Sequence, residues 1–218
     1  MAAPSFISKG TLGSTTGASF SFTFPAGIAS NDLLFLAVFD YGLGTITTNS
    51  SWTLISTMVY PTGSPKMLIK LYWKVASGSE TGTQSVTRSG YAAGDFFGNV
   101  YQYRGDNFLT RESYSSYLSN SSTITWSATS VGGTERTLCA FVLNYSGSNP
   151  GTPTGYTQSA SDTYNSSYLK LYTKQNVSSG ASVTTTGGST NGYFTFHVSI
   201  YNNTPSVGGS LVRSFIVN

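Results

Sequence analysis

The residues able to do chemistry in this chain are few and scattered. Among 218 residues there is one histidine, His197, one cysteine, Cys139, and eight carboxylates that run from Asp32 to Asp162. A zinc site needs three or four His, Cys or carboxylate ligands on one centre, more than a lone histidine and a lone cysteine supply. A Ser-His-Asp hydrolase needs a carboxylate to orient its histidine, and no Gly-Xaa-Ser-Xaa-Gly turn is present to offer a serine. Glycoside hydrolysis needs two carboxylates across one bond, yet Asp32 and Asp40 sit at opposite ends of one apolar run, about 25 Å apart at strand rise. Phosphate-cradling Gly-Lys-Ser loops are missing too. The expectation is a protein without catalysis, metal or cofactor.

Tyrosine remains as a recognition chemistry. Of 15 tyrosines, Tyr41, Tyr60, Tyr91, Tyr114, Tyr117, Tyr145 and Tyr164 fall at or near expected strand ends. Such rings give large contact area at small entropy cost, against a sugar or against a neighbouring subunit. Tyr41, Tyr91, Tyr145 and Tyr164 are therefore candidate partner contacts. A second candidate is the apolar tail after the break at 205–209, where Leu211, Val212, Phe215, Ile216 and Val217 must bury on the protein's own edge or add a strand to a partner. Arg104-Gly105-Asp106 reads as ordinary turn chemistry. Six Asn-Xaa-Ser/Thr sequons stand where about four would arise by chance at this Ser/Thr content, so they carry no message about glycosylation.

The elements that hold these residues are strands. Ser and Thr number 66 and charged residues make up only 9%, whereas helix surfaces are tiled with Lys, Glu, Arg and Gln. Abundant Tyr, Phe, Val, Ile and Thr suit a pleated sheet, so the expected class is all-β. Net charge is +3 with no run of basic residues, which argues against nucleic acid as a partner. The longest apolar run, 33–39, is too short to span a bilayer, and the first residues show no basic and apolar leader. The expectation is a protein made in the cytoplasm without an ordinary secretion signal and without a membrane partner.

An internal repeat organises the chain. Leu71-Tyr72-Trp73-Lys74 recurs as Leu171-Tyr172-Thr173-Lys174, 100 residues on, and LFLAVFDY at 34–41 recurs as LCAFVLNY at 138–145, 104 residues on. Trp52-Thr53 answers Tyr156-Thr157, and 96–103 aligns with 194–201 at an offset of 98, which sets His197 opposite Asn99. About four extra residues are expected between Thr57 and Lys66. Each half then reads as six strands: 19–24, 33–41, 53–60, 67–75, 84–88 and 96–103, followed by 123–128, 137–145, 156–163, 168–175, 182–186 and 193–201. Met67, Ile69, Leu71 and Trp73 form an apolar side of one strand, while Leu68, Lys70, Tyr72 and Lys74 form a side that can reach solvent.

The division is 1–104 for the first half, 105–122 for a connector, 123–203 for the second half and 204–218 for an extension. Twelve short strands imply an antiparallel β-sandwich of jelly-roll or lectin-like type. One sandwich with strands of both halves interleaved is the preferred arrangement, and two small sandwiches the alternative.

The stretches Asp32-Leu33-Leu34-Phe35, Trp52-Thr53-Leu54-Ile55, Tyr72-Trp73-Lys74-Val75-Ala76 and Tyr103-Arg104-Gly105-Asp106 resemble a class of tailed-phage and prophage virion proteins. Members share an apolar first strand, a Gly-Trp-Thr-Leu turn, a Tyr-Trp-Arg/Lys-Val-Ala strand and a Tyr-Arg-Gly close. Ser51 replaces the glycine here, while Gly155-Tyr156-Thr157 keeps its shape in the second half. The resemblance spans about residues 10 to 203 and implies a virion structural protein. Its leading form is a capsid decoration (cement) protein that binds the major capsid protein or other virion proteins, as a homo-oligomer, and stabilises the assembled head. A lectin-like fibre module that binds a glycan, and a tail or baseplate component, are the alternatives.

Overall fold

The computed structural model describes residues 2–60, 67–106, 109–132, 135–145, 147–187 and 192–202, with backbone alone at 109, 110, 112, 113, 115 and 116. Its elements are all strands: β1 (Ser5–Lys9), β2 (Gly13–Thr15), β3 (Ser19–Thr23), β4 (Leu33–Asp40), β5 (Thr45–Thr47), β6 (Thr53–Tyr60), β7 (Met67–Val75), β8 (Thr83–Ser89) and β9 (Phe96–Arg104). They continue as β10 (Leu109–Ser119), β11 (Thr123–Trp126), β12 (Arg136–Asn144), β13 (Thr157–Tyr164), β14 (Ser167–Val177), β15 (Val183–Thr186) and β16 (Tyr193–Asn202). All twelve expected strands are present within a residue or two at most ends.

The strands form four antiparallel layers. In the first half, an inner sheet β1-β9-β4-β7-β6, with β2 also on β9, is covered by an outer sheet β3-β8-β5. In the second half, an inner sheet β10-β16-β12-β14-β13 is covered by β11-β15. The two inner sheets pack face to face through a core that takes Phe35, Leu71 and Tyr101 from one half and Phe141, Leu171 and Phe196 from the other. Each inner sheet is thus buried on both faces, which is why β4 is apolar without alternation and buried at every position. Each sheet draws its strands from one half only, so the expected interleaving does not occur. The expected solvent side of β7 is also covered: Leu68 and Tyr72 pack beneath the outer sheet.

The duplication holds through both inner sheets and the paired outer strands, while β5 has no counterpart strand among the described residues of the second half. β1 with β2 is the counterpart of β10, so the segment 105–122 contains the opening strand of the second half rather than acting only as a connector. Even the bulges repeat: the pairing shifts between Phe6 and Ser8 in β1 and between Arg111 and Ser113 in β10, and between Leu54 and Ser56 in β6 and Gln158 and Ala160 in β13. The expected insertion is found as well. Strands β13 and β14 are joined by Asn165 and Ser166, both at positive φ (46° and 63°) as a two-residue hairpin turn requires, whereas residues 61–66 separate β6 from β7.

Register corrects one alignment. Asp40 pairs with Phe96 and its counterpart Asn144 pairs with Tyr193, so β9 maps onto β16 at an offset of 97, not 98. His197 therefore corresponds to Val100, and Asn99 to Phe196. A slip of one residue turns every side chain to the other face. Asn99 points into the core between the halves, while His197 points out to the covering sheet.

Candidate functional site

Polar groups enter this apolar stack at a few points, and each one must find partners there. Asp40, at the end of β4, accepts hydrogen bonds from the backbone N–H of Gly42 (2.8 Å) and Gly44 (2.5 Å) and pairs with the guanidinium of Arg88, both side chains being fully buried. Arg88 spends its other donors on the carbonyls of Gly17, Thr16 and Gly94 and stacks on Tyr91 at 4.0 Å. Asp32, at the start of β4, is held from three sides. It accepts from Arg104 Nε at 2.7 Å and Nη2 at 2.6 Å, from Gln102 at 2.6 Å and from the Ala29 N–H at 2.7 Å. Burial pulls its pKa up, but the bonds from Arg104, Ala29 and Gln102 outweigh burial and hold it below the usual carboxylate value. The arginine of Arg104-Gly105-Asp106 is thereby engaged within the chain, in keeping with its reading as turn chemistry.

A third cluster bridges the halves. Asp162 on β13 takes the ammonium of Lys9, the Asn99 amide at 3.0 Å and the Tyr101 hydroxyl at 3.1 Å, all from the first half. Tyr103 reaches across to Thr173 at 2.9 Å, and Gln175 donates to the Pro4 carbonyl at 2.9 Å. Cys139 lies in the same core, where burial pushes its thiol up to about 12 and leaves it a small apolar filler at neutral pH.

The candidate tyrosines gather at one end of the molecule, where β4, β12 and β13 finish. Tyr41 meets its own repeat counterpart Tyr145 at 5.3 Å, Tyr145 stacks on Phe39 at 5.7 Å, and Tyr164 packs on Phe97 at 5.4 Å. All three are half-buried and seal the seam between the halves; Tyr91 lies under Arg88 instead. Burial, with Tyr41 and Asp95 nearby, raises the Tyr145 hydroxyl well above its usual value. Contact between two equivalent residues marks a pseudo-twofold axis, and β1 approaching β13 while β10 approaches β6 is the same relation. Leu211, Val212, Phe215, Ile216 and Val217 lie outside the described residues.

Sequence reasoning missed the outer face of the second half. There Tyr156, just before β13, donates or accepts at 2.7 Å with His197 Nε2, while His197 Nδ1 lies 3.0 Å from the Ser127 carbonyl. Burial lowers the His197 pKa, the Ser127 carbonyl works against that, and the charge of Lys174 adds to the lowering. Lys170 is buried with no carboxylate partner among the described residues; its ammonium donates to Gln158 at 2.9 Å and to the Pro150 carbonyl at 3.1 Å, and burial lowers its pKa. Beside them opens a cavity of about 380 Å³ lined by Thr154, Tyr156, Lys174, Ser179, Ser182 and Thr184, with Leu138 at its apolar side. The signal was present in the repeat itself, in Lys174 answering Lys74 and Tyr156 answering Trp52.

Among the described residues, no three His, Cys, Asp or Glu side chains converge as a metal site requires. No protein family, curated protein or solved structure matches the chain.

Proposed function

We propose that this protein is a non-enzymatic virion structural protein, in the form of a decoration subunit that docks on an assembled phage head. The observation that carries the reading is the use made of the motif residues. Trp52 and Lys74 pack together, Tyr103 bonds across the seam to Thr173, and Arg104 locks Asp32. The residues behind the resemblance to tailed-phage proteins are thus spent on holding a rigid double sandwich. Buried ionisable groups are spent the same way, on loops and on the seam. Such a block suits a subunit whose work is to stay folded and cover a partner, stabilising the shell by RT ln(1 + [L]/Kd) because it binds only the assembled form.

The test is co-sedimentation of the purified protein with empty phage heads, run beside a glycan array. Saturable sedimentation at a fixed ratio to capsid subunits is the expected result. A glycan signal without head binding would overturn it in favour of a receptor-binding module, and binding to isolated tails alone would make it a tail component. Deletion of residues 211–218 is expected to abolish head binding and leave the unfolding midpoint of the free protein unchanged.

A further inference from the structure

The two halves carry the same lysine in two different states. Trp52 and Tyr156 open β6 and β13 with the same turn, the Trp52 N–H on the Asn49 carbonyl and the Tyr156 N–H on the Pro153 carbonyl. In the first half, Lys74 Nζ lies 5.2 Å from the ring centroids of both Trp52 and Phe24 and 3.0 Å from Glu80 Oε1. Both members of that ion pair are about nine-tenths buried, with side-chain exposures of 10% and 9%. The chain supplies its own carboxylate and its own second ring.

In the second half, Lys174 Nζ stands 5.8 Å from the Tyr156 ring, exposed, and among the described residues no carboxylate pairs with it. Among the described residues Tyr156 is the one ring set against Lys174, and the loop that answers the Glu80 loop reads Ser178-Ser179-Gly180-Ala181-Ser182. In the first half Phe24 and Glu80 line a smaller cavity of about 290 Å³ that Lys74 does not reach, whereas in the second Lys174 itself lines the 380 Å³ cavity. Its volume exceeds what one acidic side chain would fill. Its cation calls for an anion, and the hydroxyls of Thr154, Ser179, Ser182 and Thr184 suit a polyhydroxylated body better than an apolar one.

We infer that this cavity binds an acidic sugar, a pyranose bearing a carboxylate, of the hexuronate kind. The carboxylate takes the place of Glu80 on the Lys174 ammonium. The ring takes the place of Phe24 beside Tyr156, whose hydroxyl is already held by His197, and the sugar hydroxyls bond to the Ser and Thr rim. The site is separate from head docking and goes beyond it.

The experiment is calorimetric or NMR titration of the full chain with methyl glucuronide, methyl glucoside, benzoate and acetate. The expected result is saturable binding of the glucuronide and at least about tenfold weaker binding of the other three, a gap of about 1.4 kcal/mol. Lys174→Gln is expected to weaken the glucuronide about tenfold. So is Ser179→Glu, which offers Lys174 an internal carboxylate as Glu80 does for Lys74. Equal binding of the glucoside would overturn the role of the cation. Equal binding of benzoate or acetate would overturn the sugar, and no binding, or an unaffected Lys174→Gln, would overturn the site. Since Lys174→Gln is expected to leave head co-sedimentation intact, failure here is distinguishable from failure of the decoration reading.

Discussion

The first and second halves share a backbone plan down to their bulges, yet they solve the same buried polar problems with different chemistry. At the end of β4, Asp40 gathers two loop N–H groups and the Arg88 guanidinium. At the matching end of β12 stands Asn144, which donates at 2.7 Å to the carbonyls of Ser148 and Gly187. The clamp is the same with its polarity reversed, a neutral donor on two acceptors in place of an anion on donors. Behind β6, a Trp, a Phe, a Lys and a Glu close on one another; behind β13, Tyr156 turns to His197 and Lys174 is left open. A duplicated scaffold thus constrains backbone and apolar positions, because those set strand register and layer spacing. It leaves polar positions free to change so long as most buried groups keep a partner, and Asn144 itself satisfies its amide N–H groups but not its buried Oδ1.

The sharpest way to break this comparison is to remove the charged clamp. Arg88→Met leaves Asp40 buried and unpaired and is expected to cost about 3–5 kcal/mol in urea unfolding, whereas Asn144→Leu should cost about 1–3 kcal/mol. Equal losses would show that the two clamps are energetically the same. Next in size is the seam. Asp162→Ala leaves the Tyr101 hydroxyl stranded in the core and takes one of the two acceptors of the Asn99 amide, and is expected to cost about 2–3 kcal/mol, with Lys9 free to turn toward water. Calorimetry should show one cooperative transition in the parent protein, and its splitting in Asp162→Ala would mark the seam as the link between two foldable units.

The smallest effects separate the halves by pH. The Glu80 carboxyl is held at about 2: burial opposes this, but the Ser77 N–H and Lys74 more than compensate. Its folded pKa lies below its unfolded one, so its contribution is full above pH 4.5 and lost as pH falls toward 2. His197 also has a lowered folded pKa, so the unfolded chain takes the proton first and stability declines as pH drops below 6.5. Stability measured from pH 8 to 2 should therefore fall in two windows. Glu80→Gln should reduce only the lower, leaving the share that Asp32 contributes there, and His197→Gln should flatten only the upper; an upper window that survives His197→Gln would assign that titration elsewhere.

Strand type and position were legible in the sequence because they depend on local pattern. Alternation, β-branched and aromatic content, and Gly, Pro and Asn at turns act over a few residues, and the repeat confirmed each reading with a second copy. The unbroken apolar runs of β4 and β12 likewise announced strands covered on both faces. The long opening strand β10 was missed because Ser, Tyr and charged residues alternate there without a clear apolar side, and edge position, not pattern, makes it a strand.

Tertiary structure alone decided what meets what. Offsets of 97 and 98 between β9 and β16 look alike in sequence, but only pairing chooses the parity that sends His197 outward and Asn99 to Asp162. The same holds for the seam and the open lysine. Tyr41 and Tyr145 read as surface rings until the inner sheets closed on each other, and Lys174 differs from Lys74 through rings brought from distant strands as well as through Glu80, six residues on. Periodicity along one strand carries no information about which face the next layer covers, or which side chain that layer brings.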